Sequence, residues 1–291
     1  MTETSKSIRD ELLKPDSGSI RRSRIDWVMR RVFEASAFLT VLPLFVVIMF
    51  VFVRALPWLN PAFFFNNPLD PEPGIFNAII GSIQMSGLAM LITAPIGIAG
   101  GVYLSEFASA RVVSIGETLI DILLGVPSIV AGIFAYLLLV PVLGFSAWAG
   151  SLALAVLTLP IVMRTTQEVM RLVPVSIREA SLALGIPVWR TTLLVTLRTA
   201  FPGVLTGLVL ALSRALGETA PLIFTAKGTN ALNFLEFGTT MNAMPLVIYR
   251  YAGAAEDQLV GQAWATALVL MAIALAMNVA VRWRTIDSRV A

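Results

Sequence analysis

Long apolar runs, each about as long as a bilayer is thick, recur along this chain and limit its fold more than any motif does. About 20 consecutive apolar residues are needed for one helix to cross the hydrocarbon of a membrane. Charged residues make up only 13% of the sequence, whereas soluble domains carry about 25%. The pattern therefore predicts an all-α polytopic membrane protein with six transmembrane helices, at residues 32–56, 77–104, 115–140, 148–170, 199–226 and 260–281.

Several common catalytic groups are absent from the sequence. It contains no Cys and no His, so disulfides, thiolate metal sites and the commonest general base are excluded. No G-x-x-x-x-G-K-[ST] motif occurs, and the only lysines, Lys6, Lys14 and Lys227, do not lie in a phosphate-binding loop. A hydrolytic enzyme is therefore disfavoured, and the chain cannot hydrolyse ATP by a Walker mechanism. If transport is ATP-driven, the motor is on another subunit.

Basic residues are distributed unevenly and indicate how the chain is oriented in the membrane. With six spans both termini lie on one side, and that side receives the basic tail and the arginines of residues 111–198. The opposite side receives only Arg54, Lys227 and Arg250. Because Lys and Arg are retained on the cytoplasmic side of membranes, both termini and the segment 174–198 are predicted to be cytoplasmic.

The same spans divide the chain into four parts. A basic cytoplasmic tail covers residues 1–31, and the first transmembrane helix with an external Pro-rich loop covers residues 32–76. A core of five helices covers residues 77–284, and a short cytoplasmic tail covers residues 285–291. Within the core, an external segment of about residues 227–259 is expected either to re-enter the membrane or to cap the helices.

The segment 174–198 has clear local signals, and we call it the elbow. Ser176, with Glu179 three residues later, matches a capping box, so Ser176 is predicted to cap the start of a helix. Gly185 suits the position just after a helix end, and Pro187 favours the start of a second helix. A helix–Gly–helix elbow can be a capped structural turn or a coupling helix that docks on a cytoplasmic motor, and the two interpretations are compatible.

Arg214 and Glu218 are charged residues inside an apolar run. They lie four residues apart in the predicted fifth helix, so one helix face presents both. A charge in mid-bilayer costs about 3 kcal/mol on insertion scales and usually has a task. Two interpretations stay open: a salt bridge that fixes helix packing, or an anion pathway in which Arg214 offers planar donors to an oxyanion and Glu218 orients it. Gly217 and Pro221 beside them are expected to break the helix.

Glu117 and Asp121 form an acidic pair one helical turn apart, near the predicted cytoplasmic start of the third span. Carboxylates near a helix N-terminus are stabilised by the helix dipole. We therefore expect these two residues to stabilise the start of a helix, with no role in transport.

The elbow also resembles a known transport element. Its stretch REASLALGIPVWRTTLLVTLR is similar to the cytoplasmic EAA loop of type I ABC importer permeases, with Glu179, Ala180 and Gly185 at the matching places. Ser181 stands where many members have a second Ala, and Arg198 stands where many have Pro. These departures leave the first, docking half of the loop intact.

Four further stretches, all within residues 77–284, make the resemblance more specific. GVPSIVAG, LPIVMRTTQEVMRLVP, ALGETAPLIFTA and MPLVIYRYA are similar to the PstA family of phosphate permease subunits. The resemblance implies a type I ABC importer permease fold and phosphate import across the bacterial cytoplasmic (inner) membrane. It assigns ATPase coupling to Arg178, Glu179, Ala180, Ser181 and Gly185, and the substrate pathway to Arg214 and Glu218.

The same family implies a set of partners. A PstC-like permease completes the pore as a heterodimer, two PstB-like ATPase subunits use ATP and Mg²⁺, and a periplasmic or lipid-anchored phosphate-binding protein delivers phosphate. The chain itself is expected to bind no cofactor or metal and to carry no catalytic residue. A permease for another oxyanion, such as molybdate or sulfate, stays open as an alternative, as do a motor-independent secondary transporter or channel and a membrane scaffold.

Overall fold

The computed structural model describes residues 17–287, and it is built from helices joined by short connections. The chain divides into two compact units, Met1–Val53 and Arg54–Ala291. The helices in chain order are α1 (Ser17–Ala55), α2 (Pro61–Phe65), α3 (Phe76–Glu106), α4 (Ala110–Gly125), α5 (Ser128–Leu143), α6 (Ala147–Arg171), α7 (Val175–Ala183), α8 (Val188–Arg190), α9 (Leu197–Gly217), α10 (Ala220–Thr225), α11 (Met244–Tyr251) and α12 (Asp257–Asp287). A π-helical turn, Thr191–Thr196, joins α8 to α9.

Within the described residues, five helical stretches are long and apolar enough to cross a membrane, and a sixth span is obtained if the bent pair α4–α5 counts as one. The third span, predicted as one helix at residues 115–140, consists of two helices, because α4 and α5 meet at 100°. Proline explains the break. Pro127 has no N–H to continue the helix, and it disfavours helical geometry at Val126, which is extended with ψ 126°.

The first helix is longer than the sequence predicted. The predicted span began at residue 32 after a cytoplasmic tail, whereas α1 already begins at Ser17 and has 39 residues. Its length of about 58 Å exceeds the bilayer hydrocarbon of about 30 Å. No Pro or Gly interrupts residues 19–31, so the basic stretch continues the helix. Residues 1–16 of the predicted tail, and residues 288–291 of the second tail, lie outside the described residues.

Small residues bring α3 and α6 into close contact in the second unit. A Cβ added to Gly97 would lie 2.7 Å from a methyl carbon of Val162, and one added to Gly101 would lie 2.6 Å from the Thr166 Cβ. Such small residues let helices approach closely where no hydrophobic effect drives them together. Gly97 and Gly101 therefore serve the packing of α3 against α6.

The external segment predicted at residues 227–259 caps the helices. In α11, Met244 to Val247 are buried, and the Met244 amide donates to the Ser82 hydroxyl of α3 at 2.8 Å. The first amides of α6 are also satisfied by this segment, since Ala147 N donates to the Thr239 carbonyl at 2.9 Å and Trp148 N donates to the Phe237 carbonyl at 3.0 Å. The segment therefore sits at the start of α6. The elbow follows the other end of this 25-residue helix, about 37 Å away.

Candidate translocation pathway and coupling elbow

The elbow helix α7 begins earlier than a capping box requires. Its N-cap is Pro174, with φ −56° and ψ 139°, and no side chain caps it. The prediction of a capping box between Ser176 and Glu179 is therefore wrong. Proline has no N–H to lose and its fixed φ suits a helix start, so the helix begins at Val175 and Ser176 lies inside the first turn.

The C-terminal end of α7 agrees with the prediction. Gly185 has φ +77°, a conformation that side chains with a Cβ rarely adopt. Its amide donates to the Leu182 carbonyl at 2.9 Å, and the Ile186 amide donates to the Ser181 carbonyl at 3.3 Å. These two bonds form a Schellman motif, which ends the helix sharply. Pro187 then caps the next helical stretch, as the sequence predicted.

Two of the predicted coupling residues point inward and anchor the elbow. Arg178 Nη2 donates to Glu106 Oε1 at the end of α3 (2.8 Å) and to the Met170 carbonyl oxygen in α6 (2.7 Å). The Ser181 hydroxyl, which is buried, bonds to the Thr191 hydroxyl at 2.9 Å. Helix α7 is thus attached to α3, to α6 and to the π-helical turn before α9. Sequence reasoning missed Glu106, because no local pattern connects residues 72 positions apart.

The other predicted coupling residues lie on the outer surface. Glu179, Ala180 and Gly185 are all exposed. Large apolar side chains surround them on the same surface, and these are also exposed: Leu172, Val175, Leu182, Leu184, Val188 and Trp189. We call these six residues the apolar rim of the elbow. An exposed apolar patch of this kind is typical of a protein-binding surface or of a surface in lipid.

Arg214 and Glu218 lie at a break in the fifth transmembrane stretch. The fifth span, predicted at residues 199–226, consists of two helices, because α9 ends at Gly217 and Glu218 is extended with ψ 125°. The chain resumes a helix only at Ala220, so the predicted break is confirmed. Glycine has a high conformational cost in a helix, and Pro221 favours the first turn of the next one.

The charged pair itself is in contact and accessible. Arg214 Nε donates to Glu218 Oε1 at 3.0 Å. The Arg214 side chain keeps 41% of its surface exposed, while Glu218 keeps 13%. The salt bridge of the first interpretation is therefore present, and the guanidinium is open to a further ligand, as the second interpretation requires.

The short helix α10 packs against α5, the second half of the bent pair. A Cβ added to Gly132 of α5 would lie 3.0 Å from the Pro221 Cα of α10. Two of the stretches that carried the family resemblance, GVPSIVAG and ALGETAPLIFTA, therefore meet in the folded chain. This close approach of the α5 and α10 backbones fixes the break between α9 and α10 against α5.

Glu117 and Asp121 lie beyond the second turn of α4, away from its start at Ala110, so the prediction that they stabilise an N-terminus is wrong. Glu117 instead pairs with Arg171 of α6 at 2.8 Å and accepts from Gln167 at 3.0 Å. Asp121 lies 3.9 Å from Arg164. These contacts tie α4 to α6. Among residues 17–287 no three acidic side chains converge as a metal site requires.

Comparison with known proteins places the chain in a family. Residues 94–289 match the family model described as binding-protein-dependent transport system inner membrane component. The chain is 39% identical to the phosphate transport system permease protein PstA of Pasteurella multocida, over 79% of this chain and 83% of the relative. The PstA proteins of Haemophilus influenzae and Xylella fastidiosa are 41% and 42% identical, over 73% and 74% of this chain and 76% and 77% of theirs.

A solved structure supports the fold. An inward-facing conformation of the MetNI methionine ABC transporter matches with a TM-score of 0.59 at 15% identity, over 73% of this chain and 95% of the matched one. At that identity the likeness concerns the fold alone, and it confirms the predicted all-α type I ABC importer permease fold. The chain therefore belongs to the family of binding-protein-dependent transport system inner membrane components, as a multi-pass membrane protein.

Proposed function

We propose that this chain is a membrane subunit of an ATP-driven importer of inorganic phosphate and forms half of its pore. The observation that carries the proposal is the similarity to phosphate transport system permease proteins over about three quarters of the chain. Arg214, accessible at a helix break, supplies a group suited to an anionic substrate. In this proposal a PstC-like permease supplies the other half of the pore.

The substrate pathway runs past the Arg214–Glu218 pair. Guanidinium is planar and always charged, and its N–H groups match the spacing of phosphate oxygens. Glu218 accepts from Nε of Arg214 and so sets the orientation of the guanidinium plane. The more exposed part of the side chain is then free to bind an oxyanion transiently. Competition with the neighbouring carboxylate keeps this binding weak enough for the anion to leave again.

The elbow transmits the motion of the motor. Its apolar rim and Glu179 dock on a PstB-like ATPase subunit, which binds ATP and Mg²⁺, and no cofactor binds to this chain itself. Arg178 and Ser181 act as inner anchors, because their bonds connect α7 to α3, α6 and the turn before α9. A push on the elbow therefore reaches three transmembrane segments together. Two such ATPase subunits serve the pair of permeases.

The distribution of Lys and Arg supports one orientation of the chain in the membrane. The arginines of α4, α6 and the elbow lie at one end of the bundle, and Lys227 and Arg250 lie at the other. The positive-inside rule places the elbow and both termini in the cytoplasm. The cap formed by the external segment then faces a periplasmic or lipid-anchored phosphate-binding protein, which delivers the substrate.

Radiolabelled phosphate uptake tests the function and the pathway together. In a strain lacking this chain, the restored parent chain should import phosphate, and excess sulfate or molybdate should not compete. Arg214→Ala should lower uptake by about 10- to 100-fold, since a hydrogen bond to a charged group contributes about 1.5–3 kcal/mol. Arg214→Lys, which keeps the charge without the planar fork, serves as the matched control and should retain a small part of the uptake.

Assembly is measured in parallel by co-purification with the ATPase subunit. Normal phosphate uptake by a correctly assembled Arg214→Ala variant contradicts the pathway. Uptake of sulfate or molybdate in place of phosphate by the parent chain supports the alternative oxyanion.

A further inference from the structure

Two cations lie at the end of the bundle opposite the elbow, close to the short helix α10. Glu218 precedes α10, and Lys227 follows it by two residues. The span from Glu218 to Lys227 is about 13 Å if it rises as a helix does. Arg250 of α11 lies near the same turn, because its guanidinium carbon is 3.6 Å from the place of a Cβ on Gly228. One short helix therefore has the intramembrane charged pair at one end and two further cations at the other.

Both cations are held by uncharged groups. Lys227 Nζ lies 5.0 Å from the centre of the Phe145 ring. Arg250 Nη2 donates to the side-chain oxygen of Asn242 at 2.8 Å, and its guanidinium also lies 5.9 Å from the Tyr251 ring. Of the ion pairs found across residues 17–287, none includes Lys227 or Arg250. Their charges are positioned but not neutralised.

Asn242 adds a second observation. Its side chain is only 1% exposed, and its amide nitrogen is buried with no acceptor in the described structure. A buried donor without a partner costs about 1–3 kcal/mol. The residue that orients Arg250 thus also keeps an unused N–H donor beside it. The donor is enclosed by protein, so what Asn242 contributes to this surface is the position of Arg250.

Lys227 and Arg250 are two of the three cations assigned to the external side, the third being Arg54, and carboxylates outnumber these cations there. The external loop and the external segment carry five carboxylates: Asp70, Glu72, Glu236, Glu256 and Asp257. An approaching anion is repelled by most of that end and attracted where Lys227 and Arg250 lie. Lys227 also adopts φ +64°, a conformation in which glycine is usually found. The chain retains a lysine there despite the backbone strain.

We propose that Lys227 and Arg250 form an external capture site for a tetrahedral oxyanion of the phosphate class, before it reaches Arg214. The ammonium supplies a compact charge, and the guanidinium supplies directed N–H donors. Asn242 positions Arg250, and α10 separates this site from the inner pair. The inference rests on the proposed function and extends it by a second anion-binding step on the same chain.

Because the parent sequence has no Cys, Lys227→Cys introduces the only thiol of this chain. Modification of that thiol sets the charge of the side chain at residue 227. The complete transporter is reconstituted in liposomes with phosphate-loaded binding protein outside. Aminoethyl methanethiosulfonate restores a positive charge at residue 227, and the impermeant sulfonatoethyl reagent places a negative one. The parent chain treated with both reagents, and Arg214→Ala, are the controls.

The maximal uptake rate of Lys227→Cys should fall about five- to tenfold, as expected for the loss of one steering charge. The aminoethyl reagent should bring it back to within about twofold of the parent, and the sulfonatoethyl reagent should lower it further. The binding-protein concentration at half-maximal rate should not change. Arg250→Gln should show a similar loss of rate that neither reagent corrects.

Three outcomes would contradict the capture site. They are a parent-like uptake rate for Lys227→Cys, equal effects of the two reagents, or a change only in the binding-protein concentration that gives the half-maximal rate. The last would make Lys227 a contact with the binding protein. If Arg214→Ala abolishes uptake while Lys227→Cys transports normally, only the capture site fails. If the parent transporter carries no phosphate, the proposed function fails and the capture site with it.

Discussion

Basic side chains at the two ends of the helical bundle have different kinds of partner. At the end that bears the elbow, Arg164, Arg171 and Arg178 each lie within 4 Å of a carboxylate oxygen. At the other end, Lys227 and Arg250 are held by an aromatic ring and an amide oxygen. The first arrangement joins helices to one another, whereas the second leaves charge available to a ligand. The paired arginines at the elbow end therefore serve cohesion, whereas the proposed capture site assigns Lys227 and Arg250 to recognition.

Burial decides how much each pair contributes to stability. The Arg178–Glu106 pair is mostly shielded, with 21% and 11% of the side chains exposed. The Arg30–Glu34 pair of α1 has 79% and 45% exposed, and such surface pairs contribute little in water. The comparison of the two ends thus predicts which charge substitutions lower the free energy of unfolding and which alter transport instead.

The largest effect is expected for Glu106→Lys at the elbow end. This change places two cations together in a half-buried site and should lower the free energy of unfolding by roughly 3 kcal/mol. Thermal unfolding in detergent measures the loss. Glu106→Gln, which keeps an acceptor, should cost about 1 kcal/mol, and Glu34→Gln on α1 less than about 0.5 kcal/mol. Equal stability of the Lys and Gln variants at residue 106 would show that the pair does not hold the elbow.

Lys227→Gly at the opposite end is expected to leave stability unchanged or raise it by up to about 1 kcal/mol. Glycine relieves the positive φ of this residue, and no ion pair is lost among the described residues. The same unfolding measurement applies, with Lys227→Ala as the control that removes the amine and keeps the strain. If the glycine variant lost more than about 1 kcal/mol of its free energy of unfolding, Lys227 would stabilise the fold as the paired arginines do. The two ends would then not differ in the role of their basic residues.

The smallest change in stability is expected for Glu179→Lys on the outer side of the elbow. Glu179 is exposed and makes no ion pair within residues 17–287, so unfolding should shift by less than about 0.5 kcal/mol. Docking of the ATPase subunit, measured by co-purification, should nevertheless weaken, and phosphate uptake should fall. Glu256→Lys, an exposed reversal at the other end, should leave docking intact. Persistence of both docking and uptake would exclude Glu179 from the docking surface.

Much of the architecture could be predicted from local signals. Apolar runs identified the membrane-crossing segments, because each must be long enough to span the hydrocarbon. Gly185 and Gly217 marked ends of helices that the structure confirms. Gly185 adopts the positive φ that ends a helix, whereas Gly217 is the last helical residue before the extended Glu218. The charged residues in the fifth run were recognisable because charge is rare and costly there.

Other features were mispredicted because they depend on competition between neighbouring signals. Ser176 has the spacing of a capping box, but Pro174 starts the helix first. The third run is long enough to cross the membrane, yet Pro127 bends it by 100°. Both cases show a proline overriding a weaker pattern, because it removes a hydrogen-bond donor outright.

The sequence by itself determined that this chain lies in a membrane, roughly where its spans lie, and which charged residues are unusual in an apolar run. Only the tertiary structure decided the partners of those charges. Arg178 meets Glu106, Glu117 meets Arg171, and the Lys227 ammonium meets an aromatic ring. The physical reason is that helix formation and burial in lipid depend on neighbours along the chain, whereas an ion pair depends on residues that folding brings together from distant positions.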